Sequence, residues 1–268
     1  MQKLDGCDSQ TAVAMSVIKE QILENSKLGL TNLYDSPDYR EGKEIAIVGG
    51  GPSLKDNLDK LRAFKGPIIA CGSVHDFLVE NNINFNYCVV CDPDPLVTQY
   101  MKHRQSEVKY LIASQCHPET FSHLMAFKNY IWHCHGTQLG EEFWPEGTPI
   151  FGGGCTVGTR ALIIAMSFGY CHISLFGFDS SLDKNFKHHS YDFQTENETI
   201  GNISEIRLQS PTDSKVFYCA GYMVAQLFDI KKLLEVYAGR LDVKVIGDGA
   251  LSHMFKLGME LKQSQEVK

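Results

Sequence analysis

The sequence predicts an α/β fold, a Rossmann-like open and mostly parallel sheet with helices on both faces. Three observations predict it. Short apolar runs fit for buried strands recur at EIAIVG, PIIACG, NYCVVCD, KYLIASQ, NYIWHCHG, HISLFGFD and VKVIGDG. Helix-like stretches lie between several of them, the alternation expected of parallel strands joined by crossover helices. At 268 residues, 43% apolar and 21% charged, the chain is long enough to bury one large core.

The elements follow in order. Residues 9–28 carry Val13, Val17, Ile18, Ile22 and Leu23 at helical spacing, which predicts an amphipathic helix in an N-terminal extension over 1–43. The polar, proline-containing YDSPDYREGK connects it to a nucleotide-binding domain over 44–268. That domain opens with EIAIVGGGPSL at 44–54: a strand, three glycines, and a helix starting near Ser53 or Leu54. Pro52 suits such a start, where its missing N–H is no loss. LKDNLDKLRAF is the first crossover helix. PIIACG then ends at Gly72 and Ser73, and SVHDFLVENN leads to NYCVVCD, whose rim carries Asp92 and Asp94. KYLIASQ, HPETFSHLMAF and NYIWHCHG come next. Residues 152–160, GGGCTVGTR, bring Gly153, Gly154 and Thr156 to the start of the apolar helix ALIIAMSFG. HISLFGFD places Asp179 at a strand end. The polar stretch 180–215 is too long for an ordinary connection and reads as a lid-like insertion. AGYMVAQLFDIKKLLEVYAGR and the strand VKVIGDG close the pattern.

Charge and cysteine content narrow the function. A formal net charge of −7 and a pI near 5.8 argue against a protein that coats nucleic acid or an anionic membrane, so the expected partners are small molecules or proteins, a homo-oligomer included. No apolar run reaches the ~18 residues of a membrane span. MQKLDGCDSQ lacks the basic-then-apolar pattern of a signal peptide, and a cytoplasmic location is expected. The nine cysteines are scattered and odd in number, which predicts reduced core thiols. A zinc site would have to pair Cys88 and Cys91 with His133, Cys134 or His135.

The glycine turn carries the strongest chemical signal. A helix N-terminus offers unpaired N–H groups and partial positive charge, so a phosphate binds there when the backbone can approach. Gly49, Gly50 and Gly51, with Pro52 and Ser53, are therefore expected to hold the phosphate of a nucleotide. A dinucleotide fingerprint would place a glycine at position 54, which is Leu54, and a P-loop would end in Gly-Lys-Ser/Thr, whereas Lys55 stands alone. Gly72, Ser73, Gly153, Gly154 and Thr156 are candidates for a second phosphate or a ribose, and Asp179 for a sugar hydroxyl or a base amine. Asp92 and Asp94 could share Mg²⁺ with a diphosphate, or simply form an Asp-Pro turn.

GGGPSL, FLVENNINFNYCVVCDPDP, GGGCTVGTRALIIAMSFGYCHISLFGFD and VKVIGDGALSHM resemble, in order, the family named for the archaeal 6-hydroxymethylpterin diphosphokinase (MptE-like), which also contains flagellin-modification factors that look like glycosyltransferases. The likeness runs over roughly residues 44–254, with 180–215 unmatched. GPSL also resembles the start of bacterial sialyltransferases that use CMP-activated donors. The resemblance implies a nucleotide-dependent transferase. CDPDP keeps two acids of the diphosphokinase's Asp-Leu-Asp-Gly element and loses its glycine, ACGSVHD lacks the acid of its Ala-Asp-Gly-Ala, and HCHG at 133–136 echoes its His-Ala-His-Gly. The sialyltransferase base, a His-Ser before the last long helix, falls on FYCAGY and is missing. His188 and His189 in the lid-like stretch are the substitutes as general base, with Tyr191 or Tyr218 to hold a leaving phosphate. Three readings follow: transfer of a sialic-acid-like sugar from a nucleotide donor, pyrophosphate transfer from ATP through metal at Asp92 and Asp94, and a non-catalytic nucleotide-binding module.

Overall fold

β1 (Glu44–Val48) is flanked on both edges and covered on both faces, which is why Ile45, Ala46, Ile47 and Val48 form an unbroken apolar run. The computed structural model describes residues 13–35, 43–134, 139, 143–144, 146–192, 202–210 and 213–266, with side chains to 258. Around β1 lie β2 (Ile68–Cys71), β3 (Tyr87–Val90), β4 (Lys109–Ala113), β5 (Lys128–Cys134), β6 (Ile150–Phe151), β7 (His172–Phe176) and β10 (Asp242–Ile246). The eight pair in the order β10-β7-β1-β2-β3-β4-β5-β6, every pair parallel. The expected doubly covered parallel sheet is what the chain forms.

Helices α2 (Leu58–Ala63), α3 (His75–Glu80), α4 (Pro118–Leu124) and α5 (Val157–Ser167) make the crossovers, followed by α6 (Gly221–Val236) and α7 (Ala250–Glu266). α5 is the central one. Residues 158–165 are all buried, and it packs on β1, β2, β3 and β6. Its start is fixed by a reciprocal capping box: Thr156 Oγ1 accepts from Thr159 N at 3.2 Å, and Thr159 Oγ1 accepts from Thr156 N at 3.1 Å.

Four local expectations change. The predicted helix over 9–28 is α1 (Met15–Asn25) within the described residues, and Val17 and Leu23 are 41% and 54% exposed. Its buried face carries two amides, Gln21 and Asn25, beside Ile18 and Ile22, because it lies over strand ends whose carbonyls need donors. Asn25 Nδ2 donates to Ser114 O at 2.9 Å and Cys116 O at 2.7 Å, and Gln21 Nε2 to Pro93 O at 3.3 Å. The helix expected to begin near Ser53 or Leu54 is a 3₁₀ turn, Pro52–Asn57, leading into α2. The stretch 180–215 divides: residues 180–192 run beside the glycine turn, while β8 (Ile203–Gln209) and β9 (Ser214–Ala220) pair as an antiparallel hairpin that reaches beyond it. α7 was not expected, since IGDGALSHM reads locally as a glycine turn. Among the described residues no helix is long and apolar enough to cross a membrane.

Trp132 is the largest fully buried side chain among the described residues. Its indole Nε1 donates to Leu111 O at 3.0 Å, and its ring meets Phe151 edge-on at 6.1 Å. Trp132→Ala is expected to lower unfolding free energy by about 3–5 kcal/mol in a denaturant titration; a loss under ~1 kcal/mol would show that β5 and β6 are not part of the cooperative core.

Candidate functional site

The strand order reverses at β1: the chain proceeds from it to β2 on one edge and returns much later as β7 on the other. The crevice beyond the carboxyl ends of such a strand pair is where open parallel sheets place ligands. A cavity of about 140 Å³ opens there. It is walled by residues 49–52 after β1, Cys71 and Ser73 after β2, 156–158 at the start of α5, 177–181 after β7, His188 and His189, and Tyr222, Met223 and Gln226 of α6.

The three glycines are bare because parts of the protein itself press against them. Gly49 N donates to Phe176 O at 2.8 Å and Gly51 N to Gly177 O at 2.9 Å, so the two strand ends run closer than side chains allow. A Cβ on Gly49 would sit 2.8 Å from Gly177 O, and one on Gly51 would lie 2.6 Å from the same oxygen and collide with the Asp179 carboxylate. A Cβ on Gly50 would collide with the His189 ring and the Tyr191 hydroxyl. Packing within the protein thus accounts for the missing side chains, a reason separate from the phosphate that the sequence led us to expect at this turn. Gly177 itself has φ +64°, a conformation glycine adopts without strain.

Asp179 occupies the place at the head of the 3₁₀ turn that an external anion was expected to take. Its Oδ2 accepts from Ser53 N at 2.9 Å, and the side chain is buried. Burial pushes its carboxyl above the usual range, Asp248 adds to the rise, and hydrogen bonds from Ser53 and Gly249 oppose it. Gly247 and Gly249 of the IGDG turn pack directly on it. Asp179 thus links the ends of β1, β7 and β10.

A short strap crosses the glycine turn. Ser190 N donates to Gly50 O at 2.9 Å, and Ser190 Oγ lies 2.7 Å from Gly51 O while accepting from Lys55 N at 3.2 Å. The strap sets the rings of His188 and His189 4.1 Å apart and those of His189 and Tyr191 5.0 Å apart. The Tyr191 hydroxyl meets Ser73 Oγ at 2.8 Å, and burial pushes its pKa far above the ordinary tyrosine value. Burial pulls His188 down to about 4; burial and then the neighbouring His188 pull His189 down to about 3. Both imidazoles are therefore neutral at pH 7. His188, His189 and Tyr191 lie side by side, but only the two histidines line the cavity; Tyr191 is packed against the core behind them.

On the opposite wall a polar relay joins three elements. Ser180 Oγ donates to Gln226 Oε1 at 2.7 Å, and Gln226 Nε2 donates to Thr156 Oγ1 at 2.8 Å. Ser180 holds φ +50°, unusual for a residue with a side chain. Gln226, Ser180, Ser181 and Tyr222 were missed from sequence. The signal for Gln226 was present: it sits among Met223, Leu227 and Ile230 on the buried side of α6, where a polar residue needs a reason.

The other expected residues separate. Gly49, Gly50, Gly51, Pro52, Ser73, Thr156 and Asp179 line the cavity, and Ser53 backs it through Asp179. Gly72, Gly153 and Gly154 do not line it; Gly154 instead packs against Thr159. Asp92 and Asp94 stand apart at the end of β3. Asp92 Oδ1 accepts from Asp94 N at 3.0 Å and Asp94 Oδ1 from Leu96 N at 2.9 Å, which is turn and cap chemistry. The zinc arrangement does not form among the described residues, which contain no group of three metal-binding side chains. Burial first of all pushes the Cys88 and Cys91 thiols up to about 12, Cys134 Sγ donates to Gln115 Oε1 at 2.6 Å, and His133 Nδ1 meets Ser114 Oγ at 2.9 Å. His135 and Gly136 of the HCHG echo lie outside the described residues.

Because both histidines hold folded-state pKa values below the ~6.5 of a free side chain, the unfolded chain binds more protons from pH 6.5 down to about 4 for His188 and about 3 for His189. Stability is complete above that window and falls as pH drops through it, by at most ~1.4 kcal/mol per pH unit for each histidine. Melting temperature is expected to drop from pH 7 to pH 5, and to drop less steeply in a His188→Gln, His189→Gln double variant. Equal slopes would place the acid sensitivity elsewhere.

Comparison with known proteins puts this site in context. The fold resembles that of a Maf glycosyltransferase from Magnetospirillum magneticum AMB-1, with TM-score 0.60 and 14% identity over 93% of this chain. The chain spans 42% of the length of that protein. Lower-scoring matches include the monofunctional alpha-2,3-sialyltransferase Cst-I from Campylobacter jejuni, with TM-score 0.46 and 18% identity, covering 81% of this chain and 80% of that one. Another is the sialyltransferase CstII of the same organism in complex with a substrate analogue, cytidine-5'-monophosphate, with TM-score 0.43, 18% identity and coverage of 80% and 84%. No curated protein sequence matches the chain. A family model does, over residues 20–185, from within α1 to the turn after Asp179. That stretch is more than half of the chain and holds the glycine turn, the start of α5 and Asp179, and by it the protein belongs to the 6-hydroxymethylpterin diphosphokinase MptE-like family.

Proposed function

We propose that the protein is a nucleotide-dependent transferase that moves a glycosyl group, of the sialic-acid-like class, from a nucleotide-activated donor to an acceptor hydroxyl. The observation that carries this reading is the chemistry of the cavity wall. It offers two neutral histidines beside a glycine turn, with the hydroxyls and amide of Ser73, Thr156, Ser180 and Gln226, and no lysine or arginine among the described residues that line it. One phosphate held by N–H and O–H groups suits such a wall. A triphosphate calls for cations and metal ligands, and the acidic pair that would hold Mg²⁺, Asp92 and Asp94, lies outside the cavity.

In this reading His188 or His189 takes the proton of the acceptor hydroxyl, the acceptor oxygen attacks the anomeric carbon, and the bond to the donor phosphate breaks with its electron pair leaving on the phosphate. An arriving anion raises the pKa of a neighbouring imidazole, which makes it a stronger base when the donor is bound. Tyr191 is suited to hydrogen-bond the leaving phosphate. Binding sites for small molecules usually enclose about 300–1,000 Å³, so a whole nucleotide needs more room than the roughly 140 Å³ present. Donor entry accordingly displaces the strap at 188–191, whose side chains cover Gly50. The protein's family name keeps a second reading in view, pyrophosphate transfer from ATP.

Thermal stabilisation by CMP, CDP, UDP, GDP, ADP and ATP, each with and without Mg²⁺, separates the readings. A cytidine nucleotide is expected to raise the melting temperature without metal, equivalent to about 2.7 kcal/mol at a hundredfold excess over Kd. The His188→Ala, His189→Ala variant is expected to keep that shift and lose about 10²–10⁴-fold in transfer rate. A shift with ATP that needs Mg²⁺ would favour the diphosphokinase, and binding without turnover of any donor would leave a non-catalytic module.

A further inference from the structure

β8 and β9 stand apart from the eight-stranded sheet as a ribbon of two, so each strand has one edge that the other does not use. The edge of β9 is taken, because Leu182 N donates to Tyr218 O at 2.8 Å. That bond also fixes which way β8 faces. The N–H and C=O of a strand residue point to one side, and the side alternates from each residue to the next. Tyr218 therefore turns its backbone away from β8, and its cross-strand neighbour Glu205 turns its own away from β9. Ile203, Arg207 and Gln209 share that outward orientation by the same alternation. Among the described residues no other strand pairs with β8 on that side.

Edges of this kind are ordinarily blunted by proline, lysine, a bulge or a very short strand. β8 has none of these. It is seven residues long, ISEIRLQ, none of its side chains is fully buried, and its pairing with β9 runs one to one from Ile203 to Gln209. The side chains of Glu205 and Arg207 are 53% and 61% exposed and lie 3.9 Å apart. An edge guarded by one sign of charge repels a copy of itself. One acid and one base two residues apart do the reverse: an antiparallel copy centred on Ile206 sets Glu205 opposite the partner's Arg207, and Arg207 opposite the partner's Glu205.

We propose that β8 is a self-association edge, at which two copies of this chain join their hairpins about a two-fold axis at Ile206 into one antiparallel sheet. The proposal is independent of the transfer reading. The backbone fits this register. Glu205 and Arg207, both facing outward, form hydrogen-bonded pairs that exchange two bonds each, as do Ile203 and Gln209. Ile206 falls in the central pair without hydrogen bonds, where facing side chains stand closest. Its side chain is only half-buried against the core, so the two isoleucines cover one another. Other registers are disfavoured. Parallel pairing in register, or antiparallel pairing centred on Glu205 or Arg207, sets like charges directly opposite, which is destabilising.

Sedimentation velocity of the full chain tests this, in a series reaching about 0.5 mM because a single strand edge belongs to the small, weak class of interfaces. Wild type is expected to pass from monomer to dimer across the series. Glu205→Arg and Arg207→Glu, each alone, should weaken the dimer by about tenfold, the effect of two symmetric pairs turned from attraction to repulsion. Both changes in one chain should restore it. An equimolar mixture of the two single variants should also dimerise more strongly than either alone, since one then offers two arginines and the other two glutamates. Recovery on mixing separates a charge effect from a folding defect, which mixing does not repair. The proposal is overturned if wild type stays monomeric throughout, as it will if the edge serves a strand of another protein, if the single variants dimerise as wild type does, or if neither the double variant nor the mixture recovers.

Discussion

Everything at the site depends on how closely the ends of β1 and β7 approach. Gly49 N and Gly51 N donate to the carbonyls of Phe176 and Gly177, and at that spacing a single Cβ on Gly49 or Gly51 meets backbone oxygen at under 3 Å. Backbone cannot swing aside as a side chain can, so the glycines are required by packing whatever ligand arrives. Asp179 is then aimed at Ser53 N by a turn that has no freedom to place it elsewhere. The IGDG turn settles on Asp179, and Leu251 N, in the first turn of α7, donates to its carbonyl oxygen. Three strands and two helix starts are thereby fixed relative to one another before any substrate is considered.

On this base the protein places a strap and a far wall that polar contacts tie in place, while Met223, Leu227, Ile230 and Leu233 seat α6 itself in the core. The strap is tied down through Ser190, and the far wall through the Ser180–Gln226–Thr156 relay. Hydrogen bonds of this kind are each worth about 0.5–1.5 kcal/mol net, far less than the apolar burial under β1 and α5. The same fold can therefore keep a stiff floor and a yielding cover. Burial also keeps His188 and His189, which are part of that cover, uncharged at pH 7.

Much of the framework was legible in the sequence because its signals are local. β-branched runs ending in glycine mark β1, β2 and β7, and the apolar ALIIAMSFG after GGGCTVGTR marks α5. The family likeness was legible for the same reason, since its motifs sit on those strand ends. What escaped were facts of three-dimensional proximity. No local rule says that Asp179, far along the chain from Ser53, fills its anion position, nor that Gln226 faces Thr156. The hairpin β8–β9 and α7 escaped for another reason: ISEIRLQ is mostly exposed and lacks the apolar content that identified the buried strands, and α7 begins inside a glycine motif. Asp92 and Asp94, whose spacing fits either a metal pair or an Asp-Pro turn, make the hydrogen bonds of the turn.

The family model ends at residue 185, and the cavity does not. The floor, made of the glycine turn, the α5 cap and Asp179, lies inside the matched stretch, whereas His188, His189, the hairpin and the α6 wall with Gln226 come after it. The cavity wall is thus divided along the sequence, with its floor written early and its cover and far wall written late. The late segment is nonetheless part of the fold, since β10 pairs with β7 and Met223, Leu227, Ile230 and Leu233 of α6 join the core, so only the polar positions of that segment, such as Gln226, are open to change without disturbing the close contact of β1 and β7.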